Sequence, residues 1–331
     1  LVKNRILSFL RPVVMILGLT LSILPILGYF YEKWAAARAK RRHTPPGKQV
    51  NIGAQGLHMV IQGEQHSGVT VILESGAGGY SLEWRDVQAN IAQFARVVAY
   101  DRAGRGWSDA GVMPRLPQRI ASELHVLLKH AGVQPPYILV GQSLGGFYVR
   151  QFAAMYPQEV AGLVLVDASH PEMHQYPEAG MDDIKIGLAK DALKTRLGWK
   201  RLRGIKPYGF YETLPISLKR AWVDLEPGNT DATISEILSV VDGIALPKNL
   251  GNLPLTVLTR TPSKSALSPI WQKLQADLAT LSTNSTHLIA EKAGHNIHHD
   301  DPKLVVEAVR QIVMGLKQKS NGAMHKEKKE K

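Results

Sequence analysis

The chain has 331 residues, 44% of them hydrophobic, enough for one large core with appendages and too apolar for a disordered chain. It contains no cysteine, which excludes disulfide stapling, thiol catalysis and cysteine-held zinc. Its net charge of +12 sits at the ends: residues 1–42 carry eight Lys/Arg against one Glu, residues 317–331 carry six Lys against two Glu, and everything between sums to +1. The charge is therefore no signature of nucleic-acid binding.

In chain order, a basic flank (1–12) leads into an uncharged apolar run, Val13 to Tyr31. At ~1.5 Å per residue such a run matches the ~30 Å hydrocarbon core of a bilayer. Tyr29, Tyr31 and Trp34 would mark one interface. The run reads as an uncleaved single-span transmembrane helix, with membrane lipids as partners and a cytoplasmic catalytic domain favoured by the denser positive flank behind it. The competing reading is a signal peptide with Ala35-Ala36-Ala37 as its exit, but the run is long for that and the basic cluster after it hinders export. Residues 32–47 form a basic linker ending in Thr44-Pro45-Pro46-Gly47.

The main domain begins at 48. Gln49–Ile52 and Leu57–Ile61, separated by Gly53-Ala54-Gln55-Gly56, predict an antiparallel sheet edge. From 69 to 167, short β-branched runs alternate with helical stretches, the pattern of right-handed βαβ units in a mostly parallel sheet. The run Val69–Leu73 continues into Glu74-Ser75-Gly76-Ala77-Gly78-Gly79. This loop lacks the spacings that cradle nucleotide phosphates, whereas its glycines let backbone approach a carbonyl closely.

Tyr137–Val140 reads as a strand, Phe147–Met155 as a helix, and between them lies Gly141-Gln142-Ser143-Leu144-Gly145. A serine between glycines at a strand-to-helix turn is a nucleophile elbow: the strained backbone lifts Oγ clear of the sheet. Such a serine needs a base, an acid that orients the base, and two N–H donors for an oxyanion. The N–H of Leu144 is one donor. The other comes from the loop after Leu73, with Ala77 first choice, Gly78 an alternative and Gly76 beside them.

The next strand, Leu163–Val166, ends in Asp167. Between 169 and 250 strand-like runs vanish and helical spacing takes over, which predicts a helical lid. Within it Ile186, Ala189, Leu193 and Leu197 recur at helical intervals among lysines and arginines; this stripe rests either on a membrane surface or on the core. Leu255–Leu258 is a strand followed by Thr259 to Lys264, which contain no carboxylate. Asp167 is therefore assigned as the orienting acid, with Asp242 in reserve. Thr286–Ile289 reads as the last strand, and a histidine on the loop behind it can reach back over the strand ends, so His295 is assigned as the base. His298 and His299 read as solvated or helix-capping. Three histidines in five positions raise the question of metal, but no second ligand cluster supports it, and neither metal nor cofactor is expected. A helix spans Lys303 to Met314, and the tail from Lys317 reads as disordered. The core is thus 48–168 plus 251–316, interrupted by the lid.

The ordered set Asp101-Arg102-Ala103-Gly104-Arg105-Gly106-Trp107-Ser108-Asp109, Gly141–Gly146, Leu163–Asp167 and Gly294-His295 resembles the α/β-hydrolase superfamily, in its lipase, esterase and peroxidase-like branch, over residues 48 to 316. The resemblance implies the α/β-hydrolase fold and a Ser–Asp–His order along the chain. It makes Asp101–Asp109 a loop-stabilising turn after the fourth strand. The family's usual His-Gly before the oxyanion loop is Ser75-Gly76 here, and its usual acid position is empty; one group of haloalkane dehalogenases places the acid after strand six, as at Asp167. Dehalogenases and epoxide hydrolases of the family use an aspartate nucleophile, against which Ser143 argues. The expected activity is hydrolysis of a small or lipid-like carboxylic ester through an acyl-enzyme. The alternatives are an amidase, peptidase or cofactor-free peroxidase on the same triad, or a slow-turnover ligand sensor.

Overall fold

The computed structural model describes residues 2–204, 211–212 and 214–327; within them the side chains at 2–11, 13, 16–21 and 319–327 lie outside the description. Eight strands form one sheet: β1 (Lys48–Asn51), β2 (Gly56–Gln62), β3 (Thr70–Glu74), β4 (Arg96–Tyr100), β5 (Tyr137–Gln142), β6 (Val160–Val166), β7 (Leu255–Arg260) and β8 (Ser285–Ala290). Their spatial order is β1-β2-β4-β3-β5-β6-β7-β8. β2 runs antiparallel to β1 and β4, and β3 to β8 are parallel.

The central strands β3 to β7 are apolar, largely β-branched runs buried on both faces, as a sheet covered by helices requires. Alternation along them divides the core. Ile72, Val98, Leu139, Leu163 and Leu165 point to one face, where they meet α3 (Pro117–His130), α4 (Gly145–Met155) and α9 (Leu267–Ala279). Val71, Leu73, Val97, Val140, Val164 and Val166 point to the other, against α2 (Arg85–Ile91), the single turn α10 (Ile297–Asp300) and α11 (Pro302–Glu327). Helix α3 shows the local logic: proline opens it, and Ile120, Ala121, Leu124, Leu127 and Leu128 form one buried stripe at helical spacing.

Between β6 and β7 the chain makes α5 (Met181–Arg196), α6 (Trp199–Arg203), α7 (Ile216–Leu225) and α8 (Thr230–Leu238). In α5, Ile186 and Leu193 are 52% and 59% exposed and Ala189 is exposed too, so the apolar stripe does not pack on the core. The inward side of α5 instead buries Thr195, which bonds Thr230.

The N-terminus departs most from expectation. One helix, α1, runs from Val2 to Arg42, through the apolar run and residues 32–42 of the segment expected as linker. Among the described residues no helix is long and apolar enough to cross a membrane, which overturns the predicted single-span anchor over Val13–Tyr31. The geometry gives a reason at the C-terminal end of that run. A Cβ on Gly28 would lie 2.5 Å from the Leu197 carbonyl oxygen, and one on Gly198 would lie 3.0 Å from the Tyr31 ring, so this part of the helix is seated on the α5–α6 turn. One residue on, Glu32 is buried and forks onto Arg201 at 2.8 and 3.0 Å. Further along, Ala35 and Ala39 are buried, and the His43 carbonyl accepts from Trp107 Nε1 at 2.8 Å. At the other terminus α11 continues to Glu327, beyond the Lys317 at which disorder was expected.

Candidate active site

Ser143 and Asp167 are the non-glycine residues with left-handed backbone among those described, at φ 51° and 42°. That region is costly for side chains other than Gly, Asn or Asp, and it clusters at functional sites. Both residues directly follow paired residues on adjacent parallel strands, Gln142 on β5 and Val166 on β6. Backbone bonds stitch the two strand ends: Ser143 N donates to Val166 O (3.2 Å) and Ser169 N donates to Ser143 O (2.9 Å). The elbow closes only because its flanks lack side chains. A Cβ on Gly145 would lie 2.5 Å from the Glu74 carbonyl oxygen, and one on Gly141 would lie 2.7 Å from that of Gly145.

His295 arrives on the loop after β8. Its Nε2 is 3.0 Å from Ser143 Oγ and its Nδ1 is 2.6 Å from Asp167 Oδ2. The ring packs edge-on against Trp271, with centroids 5.7 Å apart. Asp167 is fully buried. Its other oxygen, Oδ1, accepts from Trp271 Nε1 (2.7 Å) and from the Arg260 backbone N–H (3.0 Å), and the Arg260 guanidinium lies 3.6 Å from Oδ2. The structure thus brings Ser143, His295 and Asp167 together. Asp242 stands apart on the surface, 73% exposed and paired with Lys185.

The loop after β3 lies against the elbow: a Cβ on Gly76 would sit 3.0 Å from Ser143 Cβ. Ala77 is exposed and Gly78 partly so, and Leu144 opens α4 beside the serine. Sequence reasoning treated Arg102 as part of a structural turn and missed its reach into this loop. Arg102, 2% exposed, donates to the carbonyls of Ser75 (2.7 Å) and Gly76 (2.8 Å). It also binds Glu74 at 2.5 Å and forks onto Glu236 of α8 at 2.9 and 2.8 Å. Burial raises Glu74 above the usual carboxylate range despite Arg102. Burial pushes Glu236 the same way, but the charge and hydrogen bonds of Arg102 outweigh it and leave Glu236 lowered. The Glu74 half of this clasp had a signal in the strand order, because Glu74 ends β3 and Arg102 follows its parallel neighbour β4 by two residues. The same turn is anchored by buried Asp101, which accepts from His58 Nδ1 (2.8 Å), Ser81 N (2.9 Å) and Trp107 N (2.9 Å).

A cavity of about 280 Å³ opens over Ser143 and His295. Leu144, Phe147, Ile237, Val240, Val241 and Trp271 make it mainly apolar, and His170 and Arg260 add polar edges. The neighbours of His295 depart from the expectation of solvated side chains: His298 is buried and His299 partly so.

The sheet order, the elbow and the loop ends define an α/β-hydrolase. Residues 69–198 match the family described as alpha/beta hydrolase fold. A protein of Gibberella zeae called AB hydrolase superfamily protein is 28% identical over 275 residues, covering 73% of this chain and 85% of that protein. Among solved structures, an esterase from Thermogutta terrifontis superposes with a TM-score of 0.61 at 19% identity, covering 81% of this chain and 98% of its own. An enol-lactonase from Burkholderia xenovorans LB400 gives 0.61 at 16% identity, with 81% and 100% covered. The epoxide hydrolase CorEH gives 0.60 at 20%, with 81% and 98% covered. The chain therefore has the α/β-hydrolase fold. At these identities the solved structures speak for the fold alone, and their differing reactions leave the chemistry to be argued from the site.

Proposed function

We propose that this chain is a serine hydrolase that cleaves carboxylic esters through an acyl-enzyme, with Ser143 as nucleophile, His295 as general base and acid, and Asp167 as the orienting acid. The observation that carries the reading is the unbroken relay from Ser143 Oγ through His295 to buried Asp167 at 3.0 and 2.6 Å. Asp167 accepts the Nδ1–H of His295, which leaves Nε2 as the basic nitrogen facing the serine. Nε2 takes the hydroxyl proton as Oγ bonds to the carbonyl carbon, and the carbonyl electron pair moves onto oxygen. Collapse breaks the bond to the alcohol, which leaves with the proton held on Nε2. Water, deprotonated by the same nitrogen, then attacks the acyl-serine and releases the acid. A serine at the elbow favours this route over the aspartate-ester chemistry of epoxide opening.

The N–H groups of Leu144 and Ala77 hold the oxyanion in this reading. Arg102 supports the second. A trans peptide points its N–H opposite to its carbonyl. With the Gly76 carbonyl drawn to Arg102, the N–H of Ala77 in the same peptide faces away from the guanidinium. The helices between β6 and β7 act as the lid: α8 contributes Ile237 to the cavity and Glu236 to Arg102. The apolar cavity suits an apolar acyl group, and no metal or cofactor enters any step. The test is labelling by a fluorophosphonate probe. Labelling of wild type that vanishes in a folded Ser143→Ala variant supports the proposal; a folded wild type that resists the probe and leaves p-nitrophenyl esters intact rejects it.

A further inference from the structure

His298 is buried against the Trp84 ring at 4.7 Å between centroids, and neither of its ring nitrogens has a hydrogen-bond partner. A buried polar group without a partner is rare enough in native proteins to demand an explanation, and an ion is one. Three potential ligand atoms converge here. Glu83, on the one-turn helix Ser81–Trp84, offers a carboxylate oxygen, and His298 and His299 of α10 offer ring nitrogens. All three atoms lie within 4.8 Å of one another. His298 Nε2 is 4.0 Å from Glu83 Oε2, and the two imidazole centroids lie 3.7 Å apart with the rings tilted by 41°.

We propose that Glu83, His298 and His299 form a binding site for one divalent first-row transition cation, of which zinc suits the donor set best. Zinc takes imidazole nitrogen and carboxylate oxygen at ~2.0–2.2 Å, so two tetrahedral donors stand ~3.4 Å apart and two donors on opposite sides ~4.2 Å. The 4.0 Å pair falls inside that span. Two imidazoles and one carboxylate, with no thiolate anywhere in the chain, form a set suited to zinc rather than to calcium or magnesium. The ion would take one orphaned His298 nitrogen as a ligand, leaving a fourth position for water. The sequence offered only the histidine pair; the fold supplies the missing carboxylate from the turn after β3. Bound there, the cation fastens α10 to that turn, three residues beyond His295, so its role is to hold the loop that carries the base. The proposal stands apart from the ester reading, because binding is measured without turnover.

The test is zinc titration of the full chain after chelator treatment, read by calorimetry, with cobalt(II) absorption as a second probe. Expected are one zinc per chain, a cobalt spectrum of tetrahedral intensity, and a higher melting temperature with zinc. Glu83→Gln and His299→Gln, shown to be folded by circular dichroism, should each lose at least a hundredfold in affinity and the zinc-dependent rise in melting temperature. If either variant does not fold, imidazole nitrogen NMR of the wild type decides, because zinc must move the His298 and His299 resonances. No uptake by wild type, unchanged uptake by the folded variants, or zinc-induced shifts confined to other histidines would each overturn the proposal.

Discussion

Asp167→Asn tests the proposed chemistry most sharply because it changes one atom and little volume. The Asn side-chain oxygen can still accept from Trp271 Nε1 and Arg260 N, which now bond Oδ1 at 2.7 and 3.0 Å. That arrangement turns the amide nitrogen towards His295 Nδ1, where Oδ2 now sits at 2.6 Å. An amide donates there, so Nδ1 must accept, and the ring proton moves to Nε2, facing Ser143. The base is then already protonated at the nitrogen that must take the hydroxyl proton. In serine triads this change lowers turnover by about 10⁴, or ~5.4 kcal/mol at 1.36 kcal/mol per decade. The assay is kcat and KM for p-nitrophenyl esters, with circular dichroism to verify folding. Turnover should fall by about 10³–10⁴ with KM little changed. Asp242→Asn, at an exposed pair with Lys185, should stay within about twofold of wild type. Turnover that survives the first substitution and collapses with the second would refute the assignment of the acid.

Trp271→Phe removes the indole N–H from buried Asp167 and leaves the aromatic ring; a hydrogen bond to a charged group is worth ~1.5–3 kcal/mol, so turnover should drop about tenfold or more and the unfolding midpoint in urea should fall. Arg102→Met leaves Glu74 and Glu236 buried without their shared cation and should destabilise by ~3–5 kcal/mol in chemical denaturation, while Arg102→Lys restores charge but not the fork and should recover stability better than kcat. Stability should also depend on acid pH. Asp101 and Glu236 are lowered in the fold from ordinary values of 3.8 and 4.5, so both bind protons more readily when unfolded. Their contribution is therefore complete above about pH 5 and is lost as pH falls through 4.5 and below. Asp101→Asn should flatten part of that slope in melting curves taken from pH 6 to 3; an unchanged slope would show that the His58–Asp101 pair does not contribute.

The parts of the site that were legible in the sequence are those tied to strand ends. Ser143 was marked by its glycines, Asp167 by ending a β-branched run, and His295 by following the last such run; in a parallel sheet these ends fall on one edge. The shell around them was not legible. The contact of Arg102 with Glu236 spans 134 positions, and Trp271 reaches Asp167 across 104; no periodicity announces either. Amphipathic spacing also misled. It marks which residues share a helix face, not what that face meets, so Ile186 and Leu193 of α5 turned out exposed. Hydropathy likewise read Val13–Tyr31 without the Glu32–Arg201 fork that follows it or the close approach of Gly28 to Leu197. His298 and His299 were judged by their polarity, whereas α10 turns His298 inward against Trp84 and leaves His299 partly buried beside it.

The guanidinium of Arg102 grips two things at once: two carbonyls beside the elbow below it, and a carboxylate of α8 above. Floor and ceiling of the cavity over Ser143 are in this way riveted through a single planar group. A ceiling that swings aside to admit a bulky guest must either unfasten that rivet in a dry interior or tug on the peptide next to the serine. Guests small enough to slip past a stationary α8 escape that toll, which ties the range of accepted sizes to one side chain that touches none of them.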